Sequence, residues 1–456
     1  MPTHCISSHR EIKSPSQRKI TADFSADHVS SDAGLVLLHQ AESKFDVISQ
    51  MASCFTDHRD PLRVSHSVLQ MLKQRIFALA CGYEDLNDHD FLSKDPLLAG
   101  IIGKKDLADS AAPILASRST LNRLELTPPD SDGAHRYKRI STNYEAMERL
   151  FLEVYLRTAD RPEEMVIDFD ATDLRIHGGQ EGRFFHGYYG HYCYLPNYAF
   201  CGDHLLLAQL RPANIDAALG TKEALTWMVP RIRQKWPDMR IIVRGDSGYC
   251  RDRIMTWCEQ NGVEYVFGLA KNARLKDICA EHMAVAKYRH EQSGNPERLF
   301  LDFEYCTLTS WAGHRRVIGK AEYLEKGANP RFIVTNIGDF ARAQELYEVL
   351  YCARGNMENC IKEQMSLFAE RMSTHEMHGN QMRLWFSGMA YTLLQLIRTH
   401  ALAGTDLSRA QCNTIRVKLL KIGALVQVTV RRIWVRMSRA CPQQPLFYHV
   451  LDVLGT

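Results

Sequence analysis

The sequence contains no Cys-x-x-Cys pair. Its 13 cysteines, an odd number, are scattered along the chain, whereas a disulfide framework or a zinc ribbon needs close, regular spacing. Reduced thiols in a reducing cytoplasm are the expectation. No apolar stretch approaches the roughly 20 uncharged residues of a membrane-spanning helix, and Met1–Lys19 is polar, without the apolar core of a secretion signal. A soluble, intracellular protein with no membrane partner is therefore expected. Acidic residues are missing altogether between Ser408 and Val450, where Arg409, Arg416, Lys418, Lys421, Arg431, Arg432, Arg436 and Arg439 all fall. The net charge is only +3, so the asymmetry of this tail carries more meaning than the sum.

What remains is an ordinary folded composition: 456 residues, 45% hydrophobic and 24% charged. At about 100–200 residues per domain, two or three compact units are expected. Residues 1–150 read as mostly helical, with apolar residues at helical spacing in Leu35–Cys54, Val68–Cys81 and Ala111–Glu125. Leu115–Glu125 has the look of the second half of a helix-turn-helix, with a serine cap and polar residues placed to meet a groove. An amphipathic surface helix would read the same way. The turn formers Thr127-Pro-Pro-Asp-Ser-Asp-Gly133 mark a boundary.

The pattern changes at Glu164. Met165–Asp170 reads as a buried strand, and Arg183–Tyr194 and Tyr198–Leu210 as two long aromatic-rich strands. Next come a helix over Lys222–Lys235, a strand over Arg240–Val243, a helix over Arg251–Asn261 and a strand over Glu264–Leu269. Three strands and then helix–strand alternation predict a mixed sheet flanked by helices. Residues 272–340 read as a β-rich insertion with strands at Leu299–Thr309, Arg315–Tyr323 and Arg331–Asn336. One long helix is predicted over Ala341–Arg371 and another over Met382–Ala401. Ala424–Met437 is β-branched and roughly alternating, which favours strands.

Three acidic residues stand out by context. Asp170 ends the first strand, Asp246 comes after Ile241-Ile-Val243 in the turn Arg244-Gly-Asp-Ser-Gly248, and Glu358 lies in the long helix. Carboxylates at strand ends can converge on one spot, and hard divalent cations prefer such oxygen ligands. Each has a plainer reading, as turn, cap or helix-surface residue; Asp168, on the same strand face as Asp170, competes with it for the first place, and Asp173 is a further candidate. On a regular helix of about 100° per residue, Tyr351, Arg354, Glu358 and Lys362 share an arc of roughly 80°. A tyrosine, two cations and a carboxylate there suit a face that binds metal and grips phosphate.

Asp170-x-Thr, Arg-Gly-Asp246-Ser-Gly-Tyr and Tyr351-x-x-Arg354-x-x-x-Glu358 resemble the DDE transposases of bacterial insertion sequences. More narrowly, the chain resembles the DDE domain group 1 type, whose catalytic domain carries a β-strand insertion and a Tyr-Arg-Glu-Lys signature. Asp168-Phe-Asp-Ala-Thr-Asp with His177-Gly-Gly-Gln-Glu-Gly182, Tyr192-Cys-Tyr-Leu-Pro196, Leu210-Arg-Pro212 and Gly268-Leu-Ala-Lys-Asn272 extend that likeness from about residue 15 to the C-terminus. One position departs: the signature lysine falls at Met365, and Lys362 is the candidate substitute.

The resemblance implies an α/β protein with an RNase H-like mixed sheet at 155–375, interrupted by the insertion at 272–340. Ahead of it would lie a helical DNA-binding region at 1–150, and behind it a C-terminal helix and basic strand region at 376–456. Asp170, Asp246 and Glu358 would be the catalytic, metal-binding triad for Mg²⁺ or Mn²⁺, two ions in all. Tyr351, Arg354, Lys362, Arg431 and Arg432 would contact DNA. The implied activity is cleavage at transposon ends and strand transfer into target DNA by a homodimer acting on double-stranded DNA in the bacterial cytoplasm and nucleoid. The alternative readings are a catalytically inactive, transposase-derived DNA-binding protein and, remotely, a glycoside hydrolase using paired carboxylates.

Overall fold

A computed structural model of the chain describes residues 9–12, 20–23, 28–104, 114–129 and 131–456. Most of Met1–Lys19 and the start of the segment Ala111–Glu125 therefore lie outside the described residues. The fold is mixed α/β, with one large sheet and many helices.

The sheet strands are β1 (Glu164–Ala171), β2 (Asn197–Cys201), β3 (His204–Gln209), β4 (Arg240–Gly245), β5 (Glu264–Leu269), β6 (Glu297–Tyr305), β7 (Arg315–Leu324) and β8 (Arg331–Thr335). Their order is β3-β2-β1-β4-β5-β8-β7-β6, and the short Gly327–Ala328 adds a ninth strand beside β7. Strand β1 runs antiparallel to β2 and parallel to β4, which is parallel to β5. Its odd-numbered residues Met165, Ile167 and Phe169 are fully buried in one core. The alternation then sends Asp168 and Asp170 to the opposite face.

The principal helices are α1 (Leu35–Phe45), α2 (Val68–Cys81), α3 (Arg118–Glu125), α4 (Tyr144–Thr158), α5 (Thr221–Lys235), α6 (Asp252–Gln260), α7 (Ala280–Ser293), α8 (Gly355–Ser366), α9 (Met377–Ala401) and α10 (Gln444–Gly455). Parallel strands need a crossover, and α6 supplies the one between β4 and β5. Helix α9 is nearly all buried, its polar residues Asn380, Gln381, Ser387, Thr392, Gln395 and Arg398 included, as suits a central helix. It packs on α2, α10 and β3, so the two ends of the chain share one core. Two buried ion pairs seal this joint, as Glu125 of α3 takes Arg75 at 2.9 Å and Arg383 at 3.0 Å.

Several expected elements come out differently. Leu35–Cys54 is two helices, broken at Asp46, whose φ is 50°. The Glu42 carboxylate accepts the backbone N–H of Ile48 at 2.8 Å and of Ser49 at 3.0 Å, and so supplies the second helix with its cap. Tyr198–Leu210 is the hairpin β2–β3, turned at Gly202 with φ 56°. Arg183–Tyr194 is likewise a hairpin, Phe184–His186 against His191–Tyr194. The segment 272–340 begins with two helices, Ala273–Ile278 and α7, before β6–β8 extend the main sheet. Helix α7 buries only Ala286, so it offers no apolar stripe for a periodicity reading to find.

The long helix predicted over Ala341–Arg371 is also interrupted. A helical turn at Ala343–Glu345 passes into a π-helical stretch, Leu346–Tyr351, then a 3₁₀ turn, Cys352–Arg354, and finally α8. A constant 100° step therefore fails across Tyr351–Arg354 and holds only from Gly355 onward.

Candidate active site

The pairing of β1 with β4 sets the site. Phe169 lies opposite Gly245, so Asp170 and Asp246 are the next residues along two parallel strands, which run about 4.8 Å apart. Asp246 opens the turn after β4, and its Oδ1 accepts the backbone N–H of Gly248 at 2.8 Å. Asp170 accepts the N–H of Ala171 at 3.0 Å. Burial pushes the Asp170 carboxyl up to about 6, against the pull of Arg354 and with a further push from the Asp246 charge. A raised carboxyl beside a second carboxylate marks a place where positive charge is wanted.

In this structure that charge comes from Arg354. Its Nη1 donates to Asp170 Oδ2 at 2.9 Å, and its Nη2 stands 3.9 Å from Glu358 Oε1. The arginine thus bridges the sheet carboxylate and the helix carboxylate. Burial works against its charge, yet Asp170, Tyr351 and Asp246 outweigh it and hold the guanidinium above its ordinary value. The Glu358 side chain is 57% exposed in the first turn of α8, and Lys362, one turn on, is also exposed.

Helix α8 is fixed from its other side. Met357, Cys360, Ile361 and Gln364 form the buried stripe, and Glu363 accepts from Arg398 of α9 at 3.1 Å and from the backbone of Cys412 at 2.8 Å. Met365 packs against the large core shared by the chain ends, which a thioether suits better than an ammonium.

Asp168 plays a different part from Asp170. It is buried, and Arg244 clasps both its oxygens, one of them from Nη2 at 2.7 Å. The remaining Nη1 of Arg244 donates to the carbonyl of Leu350. This ion pair pins the π-helical stretch to the sheet, one residue before Tyr351. Tyr351 then lies over Gly268, where a Cβ would come within 2.6 Å of the tyrosine Oη and 2.9 Å of the Ser247 nitrogen. Only glycine permits that approach. Asp246, Ser247, Gly268, Lys271 and Tyr351 line a small cleft of about 140 Å³.

The other expected contacts fall elsewhere. Arg431 and Arg432 are exposed at the turn of the hairpin Ala424–Val428/Ile433–Met437, on a sheet separate from Asp170 and Asp246. Arg432 and Arg436 stand 5.7 and 5.9 Å from the Trp434 ring. In α3, Leu121, Leu124 and Glu125 are buried while Arg118, Ser119 and Arg123 are exposed; Ser117 holds the N-cap position without a side-chain capping bond. Asp173 pairs with His191 at 2.7 Å. Sequence reasoning missed the role of Arg244, although a lone cation ending the apolar run Ile241-Ile-Val243 was the available signal.

A hard divalent cation takes oxygen donors, and the Asp170–Asp246 pair is such a set, with Asp170 raised chiefly by burial and further by the Asp246 charge. Among the described residues, no three acidic, histidine or cysteine side chains stand close enough to hold an ion together. Arg354 instead lies between Asp170 and Glu358.

Paired strand-end carboxylates on a mixed α/β sheet, with a cation and a tyrosine over them, define a class of site suited to phosphate-ester chemistry. The chain belongs to the family described as transposase DDE domain group 1, whose model matches residues 12–456. No curated protein matches it. Among solved structures it is similar to the piggyBac transposase synaptic complex with hairpin DNA, at 9% identity and a TM-score of 0.41, over 84% of this chain and 78% of that one. A likeness at that level carries no weight for function. No helix among the described residues is long and apolar enough to cross a membrane.

Proposed function

We propose that this transposase cuts and rejoins DNA at transposon ends, using Asp170, Asp246 and Glu358. The observation that carries the reading is the Asp170–Asp246 pair at adjacent strand ends, joined to Glu358 through Arg354. The strand order β3-β2-β1-β4-β5, antiparallel and then parallel, supports an RNase H-like core over about 155–375. The β-strand insertion lies within it, the helical 1–150 is a DNA-binding region, and 376–456 is a C-terminal helix and basic strand region.

Asp170 and Asp246 would hold Mg²⁺ or Mn²⁺, with Glu358 completing the set. Bound there, the ions supply charge stabilisation for both the attacking and the leaving oxygen of an in-line displacement. Tyr351 and Arg354 sit where a scissile phosphate would approach the two aspartates, and their O–H and N–H groups would donate to its non-bridging oxygens. Lys362, exposed on the next turn, extends that cationic edge, and Arg431 and Arg432 would contact the backbone farther out. The freed 3′-hydroxyl would then attack a target phosphodiester, its oxygen bonding to phosphorus as the target strand's own 3′-oxygen leaves. Synapsis of two ends calls for a homodimer, and the work would take place on double-stranded DNA in the cytoplasm.

The test is cleavage of labelled DNA carrying the terminal repeats, with Mg²⁺ and with EDTA. The reading expects Mg²⁺-dependent nicks ending in 3′-hydroxyls. Binding without any cutting would instead favour the inactive DNA-binding descendant, a reading for which Met365, packed into the core, is the supporting observation.

A further inference from the structure

The segment between β1 and β2 is a hairpin with two unlike faces. Phe184 pairs with Cys193, Phe185 with Tyr192 and His186 with His191, and alternate residues of a strand face opposite ways. The inner face is anchored. Cys193 is buried with Leu195 and Ala213, with Ala171 and Tyr189 packed alongside, and His191 holds Asp173 at 2.7 Å. Ala171, which packs against this cluster together with Tyr189, is the residue after Asp170. The hairpin is thereby anchored on Ala171 and Asp173, which follow Asp170 closely in the chain.

The outer face is aromatic and open. Phe185 is 57% exposed, Tyr192 46% and Tyr188, at the tip, 87%. Phe185 and Tyr192 meet edge to face at 5.6 Å and 76°, and both stay about half exposed. The Arg183 guanidinium stands 4.6 Å from the Tyr192 centroid. A contiguous cluster of exposed aromatic side chains marks a binding surface.

We propose that this outer face, Arg183, Phe185 and Tyr192 with Tyr188 at its tip, binds unpaired DNA bases beside the cleavage site. The inference rests on the reading of the protein as a DNA-cutting transposase. Flat rings interleaved with a cation fit a single strand, whose bases stack on aromatics in a sequence-tolerant way while phosphates meet the cation. A duplex keeps its base faces stacked inside and offers this surface nothing but its backbone.

The test measures full-length protein binding to fluorescein-labelled oligo-dT and to a terminal-repeat duplex, together with quenching of 2-aminopurine in the single strand. Phe185→Ala/Tyr192→Ala is expected to weaken single-strand binding about 10–100-fold and abolish quenching, with duplex binding little changed. Phe185→Tyr/Tyr192→Phe is expected to retain both; both positions are exposed, so melting temperature serves as the folding control. Single-strand binding that survives the double alanine variant overturns the proposal. So does a loss of dimer on light scattering with single-strand affinity intact, which would make the face a contact with a second copy. Wild type that cuts the duplex with Mg²⁺ but ignores oligo-dT overturns this proposal alone. Wild type that binds oligo-dT through these residues but never cuts leaves this surface standing and the cleavage reading lost.

Discussion

The sheet-borne and helix-borne halves of the site are held by different means. Asp170 and Asp246 are neighbours because Phe169 and Gly245 are partners in a parallel ladder, and a strand register admits no small adjustment. Tyr351, Arg354 and Glu358 come from a segment that passes through π, 3₁₀ and α pitch in thirteen residues. Its position depends on three ties: Arg244 on the Leu350 carbonyl, Tyr351 over Gly268, and Glu363 on Arg398. The sheet half is fixed by the fold, and the helix half is fixed by side chains. π-helical turns recur at functional sites, and here the turn is what brings Tyr351 and Arg354 to the same carboxylates.

The largest expected effect falls on the sheet half. Asp246→Asn or Asp170→Asn should lower cleavage at least about 1,000-fold, since ion-mediated charge stabilisation is worth several kcal/mol at about 1.4 kcal/mol per tenfold. Gel analysis of nicked terminal-repeat DNA reads this, and near-normal cutting by either variant would break the assignment. Next is the tie between the halves. Arg244→Met leaves Asp168 buried without its partner and should cost about 3–5 kcal/mol in urea denaturation. A stable Arg244→Met protein would mean that the ion pair is not what holds the junction.

Gly268→Ala should disturb both halves, since the added methyl would meet Tyr351 Oη at 2.6 Å and the Ser247 backbone nitrogen, beside Asp246, at 2.9 Å. The added methyl forces Tyr351 to move, and a displacement of about 1 Å near the chemistry costs about 100-fold in rate. Cleavage should fall by at least that order and the melting temperature should fall with it, because overpacking a buried strand costs about 1–3 kcal/mol. Normal cutting at an unchanged melting temperature would show that Gly268 does not seat Tyr351.

The smallest effect is a pH slope. The Asp170 carboxyl is raised to about 6 from 3.8, chiefly by burial. The folded state therefore holds this proton where the unfolded chain has released it. Its contribution to stability is present below about pH 4 and is lost as pH rises to about 6. In EDTA, wild type should lose stability relative to Asp170→Asn across that window and run parallel to it above. Parallel curves throughout would show that Asp170 is not strained by burial.

Legibility in the sequence divides along the same line. Strand β5 and helix α2 stand over the predicted residues, the latter because Ser67 and Gln70 form a capping box and Gly82 closes it with φ 96°. Asp170 and Asp246 could be picked out because each ends an apolar run. The turns at Gly202 and Gly187–Gly190 were present as glycines but were overrun by aromatic residues on both sides. The break in the helix at 346–354 had no sequence mark at all: no proline, and Gly355 only after the irregular turns. The contacts that hold it are tertiary, from Arg244 and Gly268, which lie far away in sequence. Nor did the sequence separate Asp168 from Asp170; the Arg244 clasp does.

The most direct test of the central claim is Mn²⁺ binding measured by electron paramagnetic resonance in wild type, Asp170→Asn, Asp246→Asn and Glu358→Gln. The account predicts saturable binding in wild type that either aspartate substitution abolishes, with a weaker loss for Glu358→Gln because that carboxylate is exposed on helix α8, away from the strand ends. Equal Mn²⁺ binding by wild type and both aspartate variants would contradict it, and the strand-end pair would no longer be the metal site.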